Sequence, residues 1–157
     1  MTVLAAIRPD SWNFPLLLHV ASAMLLVGAV VVAAVALTQA LRTSETGGAV
    51  ALQRFGARTL LWVAVPMSVV LNVDAEWIRS KEFPSDSSDP AWIGWGYATA
   101  ESSLIFLVIA TILASLAVRR SRAGTGIGKL SKAATGLSLL SIAILLIAIW
   151  AMTSKPS

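Results

Sequence analysis

The chain has no cysteine in its 157 residues. That absence excludes disulfides, thiolate catalysis, cysteine-ligated zinc and iron–sulfur clusters. Histidine occurs once, so one chain cannot hold a haem between two histidines or a metal on a His pair at helical spacing. Charge is scarce too: Asp, Glu, Lys and Arg make up 13% of the residues, against roughly 25% in soluble domains. What takes their place is apolar. Hydrophobic residues make up 57% of the chain and the mean hydropathy is +0.79. A chain this short cannot hide so much apolar surface in one water-soluble core, whereas a single compact membrane domain accounts for it.

A spanning helix needs roughly 20 mostly apolar residues to cross roughly 30 Å of hydrocarbon. Four segments fit, at about 14–38, 55–76, 97–118 and 133–153. The expected fold is therefore all-α, a four-transmembrane-helix bundle in one membrane domain. The first span reads as a retained helix. Its apolar run exceeds the roughly 7–15 residues of a signal-peptide core, and its basic flank, Arg42, follows the run. The second span has a short uncharged stretch, Thr59 to Val73, so Arg58 is expected to snorkel and Asp74 to sit among headgroups. Pro66 predicts a kink in its middle.

Loop charge sets the expected orientation. The first loop carries Arg42, Arg54 and Arg58 against Glu45, and the third carries Arg119, Arg120, Arg122, Lys129 and Lys132 with no acid. The stretch from Asp74 to Glu101 instead carries six acids against Arg79 and Lys81. Loops 39–54 and 119–132 are thus expected in the cytoplasm, with loop 77–96 and both termini outside. Trp12, Trp77, Trp92, Trp95, Tyr97 and Trp150 fall at the expected outer ends, as amphipathic rings prefer. The segment Ala91 to Tyr97 is apolar and Trp-rich, and is expected to lie along the outer interface. The net charge of +4 is sorted by loop, which speaks for membrane topology and against a nucleic-acid surface. The run from Gly124 to Lys129 has three residues between its outer glycine pair and Leu130 after the lysine. A phosphate-binding loop needs four, then Ser or Thr, between a strand and a helix. It reads as a cytoplasmic hairpin able to touch anionic headgroups.

Few residues can carry chemistry. His19 lies inside the first span, roughly 10 Å below Trp12 at about 1.5 Å per residue. Ser22, Leu26, Ala29, Ala33, Ala36 and Ala40 continue its helical stripe, which is small enough for close helix packing. His19 is therefore expected to face protein, as a metal or haem ligand, a proton carrier or a hydrogen-bonded neutral residue. Glu101 sits about one turn below Tyr97. On the second span Arg58, Ser68, Asn72 and Glu76 share one face, with Asp74 nearly opposite Glu76. His19, Glu101, Asn72 and Glu76 lie at similar depth and form the expected ligand or proton site, with a His19–Glu101 pair at its heart. No cofactor is required by the sequence. One His with carboxylates is compatible with a divalent metal, and a haem is compatible with His19 as an axial ligand.

The stretch from Leu18 to Gly28 (LHVASAMLLVG) resembles a helix opening common in copper-resistance-D-like proteins and related bacterial membrane families. There, a Leu-His pair precedes small residues and a Val-Gly step. The resemblance covers one helix of four. Leu26 stands where that pattern often has Trp, and the further histidines and methionines of copper handling are missing. The resemblance implies a small bacterial inner-membrane protein with His19 as a ligand.

The leading functional reading is a non-enzymatic membrane subunit or scaffold, with the lipid bilayer and a membrane-protein partner or second copy as its surroundings. The alternative is a metal-, haem- or proton-handling protein using the outer-leaflet site. A small transporter or channel comes third, because the centres of all four spans lack the charge that transport sites usually place there. An enzyme comes last.

Overall fold

A computed structural model describes residues 13–82, 90–124 and 128–154. Trp12, and Asp86 and Asp89 among the six acids from Asp74 to Glu101, lie outside the described residues. The described residues form helices and short connections. In chain order these are α1 (Asn13–Arg42), α2 (Thr46–Thr59), a π-helical turn (Leu60–Ala64), α3 (Val65–Glu82), α4 (Ala91–Arg122) and α5 (Lys129–Ser154). α2, the π turn and α3 run on as one long helix, Thr46–Lys81. Four helices are thus long and apolar enough to cross a membrane.

Each helix extends past the apolar span read from the sequence, so the connections are shorter than expected. Thr43–Glu45 alone joins α1 to α2. The Trp-rich segment from Ala91 does not lie apart along the interface. It forms the opening turns of α4, which starts after Pro90, whose backbone is extended (ψ 146°). Proline suits the position just outside a helix start because it needs no helical N–H partner. At the other end of α4, Gly124 adopts a positive φ of 81°, the left-handed conformation that closes helices and favours glycine.

The kink expected at Pro66 takes the form of the π turn just before it. Proline has no N–H and its ring presses on the carbonyl four residues back. The Val65 N–H bonds to the Leu60 carbonyl, five residues back. That wider turn is a recognised way of absorbing the disruption.

The core is built from small side chains. Ser22, Leu26, Ala29, Ala33, Ala36 and Ala40 of the α1 stripe are all buried. Leu26, Ala29 and Ala33 share one core cluster with Ala57, Leu60, Ala64, Leu107, Ala110 and Ala114 of the neighbouring helices. Small residues let helix backbones approach closely, which drives packing where no hydrophobic effect separates helix from lipid. Gly56 marks the closest approach of α2 to α1: a methyl there would sit 2.9 Å from Leu37 Cγ and 3.2 Å from the Ala33 carbonyl oxygen. The outside is the reverse. Leu17, Met24, Leu25, Val35, Ile105, Leu146 and Ile147 all point outward. So continuous an apolar exterior suits lipid and would be an aggregation hazard in water.

Candidate functional site

Two buried polar clusters lie at opposite ends of the bundle. Near the start of α1 and the end of α3, His19 Nδ1 stands 3.2 Å from Asp74 Oδ2. His19 is six residues into α1 and Asp74 eight residues before the end of α3. At about 1.5 Å per residue both lie roughly 10 Å from those helix ends. The Asp74 side chain is 1% exposed and that of His19 is 30% exposed. His19 Nδ1 itself is buried, so the accessible part of the imidazole is its remaining edge.

The two side chains are in contact, but not through a well-aimed hydrogen bond. His19 Nδ1 and both Asp74 oxygens are buried and have no hydrogen-bond partner among the described residues. Ser103 Oγ, on α4, is a fourth such atom. Unsatisfied buried polar groups are rare and costly, because each gives up its hydration without replacement. The other serines and threonines of the core behave differently. Thr111, Thr135, Ser138 and Ser141 each donate to a carbonyl four residues back in their own helix, as hydroxyls in apolar surroundings commonly do.

The exposed edge of His19 lines a cavity of about 180 Å³. Its other walls include Leu16, Ile78, Arg79, Trp92, Ile93, Tyr97 and Met152. Arg79 and Tyr97 both lead to Glu76. The Tyr97 hydroxyl donates to Glu76 Oε2 at 2.6 Å and Arg79 pairs with Oε1 at 3.1 Å. The cavity thus has the imidazole on one wall and, on others, Tyr97 and Arg79, which hold the exposed Glu76 carboxylate.

The residues expected to form one site are divided by the structure. His19 meets a carboxylate, but that carboxylate is Asp74 and not Glu101. Glu101 is exposed on α4 and makes no hydrogen bond or ion pair among the described residues. Glu76 belongs to the surface cluster with Tyr97 and Arg79. Asn72 turns its side-chain amide back to the Ser68 carbonyl at 2.8 Å. Asp74, expected among headgroups, is buried within the bundle, its side chain 1% exposed. α3 continues two turns beyond it to Glu82, which places it within the packed part of the helix. The useful signal was that Asp74 lies on the opposite face from the exposed Glu76.

The second cluster is neutral. Gln53 of α2 is fully buried. Its amide nitrogen donates to Ser131 Oγ of α5 at 3.1 Å, and its carbonyl oxygen accepts from Ser121 Oγ of α4 at 3.0 Å. One side chain thereby ties three helices together. Sequence reasoning passed over Gln53 because it lies outside the apolar span, in what looked like a loop leading to it.

As a metal centre the His19–Asp74 pair is incomplete: among the described residues no group of three or more His, Asp or Glu side chains could hold an ion. Its two donors suit proton exchange better, since an imidazole and a carboxylate in contact can share or pass on one proton. Compared with known proteins, the chain matches no protein family, no curated protein and no solved structure.

Proposed function

We propose that this chain is an integral membrane protein that takes up and passes protons through the His19–Asp74 pair. The observation carrying this reading is a carboxylate 1% exposed, inside a membrane-length helix, held 3.2 Å from the chain's single histidine. Ionisable groups within membranes are expensive and commonly mark proton relays. In this reading Asp74 holds the proton, His19 exchanges it with the cavity, and Tyr97 and Glu76 form the outer mouth. The arginine-rich end is cytoplasmic, and the mouth and both termini face outward. The loop charges and the one-helix resemblance favour a bacterial inner membrane.

The test is proton flux into liposomes carrying the purified protein, read by an internal pH-sensitive dye after a pH step. The wild type is expected to collapse the gradient faster than protein-free liposomes. Asp74→Asn and His19→Gln should reduce it to the background rate, and Glu101→Gln should leave it unchanged. A wild-type rate equal to background would sink the proposal. Orientation has its own check: single cysteines at Ser80 and Lys129 should label from opposite sides of intact cells with an impermeant reagent.

A second reading, a subunit or scaffold, is favoured by Gly28 and Gly136. Both are exposed on helix faces with nothing within 4 Å of an added methyl. Such positions let a partner helix approach closely. On this reading Gly28→Leu or Gly136→Leu should dissociate a cross-linkable complex, and an unchanged cross-linking pattern would count against it.

A further inference from the structure

At the end of the bundle away from His19, α2 and α4 enclose a pocket of about 210 Å³. Arg54 and Arg58 line it from α2, and Arg119 and Arg122 from α4. Each helix presents its lining at a spacing of three and four residues: Arg54, Arg58 and Leu61 on one wall, Arg122, Arg119 and Ser115 on the other. The walls change character along the same direction. They are cationic where the helices approach the Thr43–Glu45 and Gly124–Gly128 connections, and they end in Leu61, Val118 and Ser115 towards the middle of the membrane-length helices.

No described carboxylate pairs with these four arginines. Glu45 is the single described acid at this end, nine residues before Arg54. Four guanidinium groups around one pocket repel one another unless an anion comes between them. Arginine forks match phosphate oxygens two at a time, which makes phosphate the fitting anion. The apolar end of the pocket identifies the carrier. Leu61 continues into the outward-facing Trp62, and Leu116 is likewise exposed beside Ser115. A free anion has no use for such a wall, whereas acyl chains lie along it naturally. The volume is below the roughly 300–1,000 Å³ of sites for drug-sized ligands, as suits a headgroup whose tails remain in the bilayer.

We propose that this pocket binds the phosphate headgroup of an anionic phospholipid, with Arg54, Arg58, Arg119 and Arg122 around the phosphate and the acyl chains against Leu61 and Leu116. The inference rests on the membrane assignment and on nothing concerning His19 or Asp74, so loss of proton flux and loss of lipid binding are separable results.

The test uses the full chain in a mild neutral detergent, with native mass spectrometry and thermal unfolding as readouts. Dioleoyl phosphatidylglycerol should remain bound and raise the melting temperature. Dioleoyl phosphatidylcholine, inorganic phosphate and glycerol phosphate should do neither at equal concentration. Arg58→Gln and Arg119→Gln should each weaken phosphatidylglycerol binding about fivefold, the effect of removing one basic residue near an anionic lipid. Arg42→Gln, outside the pocket, should change it less than twofold. If a glutamine variant does not fold, Arg58→Lys should keep the melting temperature of the lipid-free protein yet still weaken binding, because it retains the charge and loses the fork; undiminished binding overturns the proposal. Equal binding of phosphatidylcholine overturns it, as does an Arg42→Gln effect matching that of Arg58→Gln. Full competition by inorganic phosphate would assign the pocket to a free anion instead.

Discussion

At the arginine-rich end, Gln53 uses both sides of its amide on Ser121 and Ser131; at the other end, His19 and Asp74 meet and leave three buried atoms without a hydrogen bond. Both clusters cross between helices and both are buried. They differ in charge and in completeness. A closed neutral network costs little to bury and fixes which helices neighbour one another. A pair of ionisable groups with unsatisfied oxygens contributes little net stability and is tolerated where something else is gained. The contrast separates a polar cluster whose hydrogen bonds are complete from one whose hydrogen bonds are not.

The largest expected effect comes from breaking the His19–Asp74 pair on one side. At a pH where Asp74 is ionised, His19→Leu leaves its charge buried and alone, which should cost about 3–5 kcal/mol, the usual range for half of a buried pair. Replacing both residues, as His19→Leu with Asp74→Leu, should restore most of that loss, since apolar side chains of similar volume often substitute without cost. Unfolding in mixed micelles measures both. A double variant as unstable as the single one would show that the pair is itself a structural mainstay, and the contrast between the two ends would fail.

A smaller effect concerns the tightness of the two ends. Gly56 packs against the Leu37 branch point and a backbone carbonyl, neither of which can move easily. Gly56→Ala should therefore cost about 1–3 kcal/mol, the ordinary range for overpacking. Gly96, near the His19 end, would present its added methyl to the terminal methyl of Met152, a flexible and partly exposed side chain. Gly96→Ala should stay within about 0.5 kcal/mol of wild type, as substitutions away from tight features do. Reversal of that order in thermal unfolding would show that the His19 end is the more rigid.

The smallest effect sharpens the comparison most. Gln53→Leu removes the neutral network and leaves two serine hydroxyls that can turn back to their own helix carbonyls. The loss should be about 1 kcal/mol, near the net worth of an ordinary hydrogen bond. Proton flux should be unaffected. Flux that falls with Gln53→Leu as it does with Asp74→Asn would mean that the two ends act together.

Most of the architecture was legible because the period of a helix and the thickness of a bilayer are both fixed. The four helices and the buried stripe below His19 could be read directly from the spacing of apolar and small residues. The site was harder to read, for a specific reason. Arg58, Ser68, Asn72 and Glu76 were assigned to one face by counting 3.6 residues per turn through Pro66. The π turn at Leu60–Ala64 accommodates an extra residue and rotates everything beyond it by about 100°. Arg58 is accordingly exposed and Ser68 buried. No residue from Leu60 to Ala64 announces that turn; only Pro66 hints at it. Glu101 attracted notice by its depth, but depth alone does not distinguish the inner face of a helix from the outer.

The partners of the two polar clusters also differ in when they are synthesised. His19 and Asp74 both lie in the first helical hairpin, and the tight Thr43–Glu45 connection brings its two arms together early. Their contact needs only that hairpin, so the buried carboxylate can have its companion before α4 and α5 emerge from the ribosome. Gln53 must wait, because Ser121 and Ser131 belong to the second hairpin. The amide therefore acts as a latch that closes last, and it locks together two halves of which the first already has its charge accounted for.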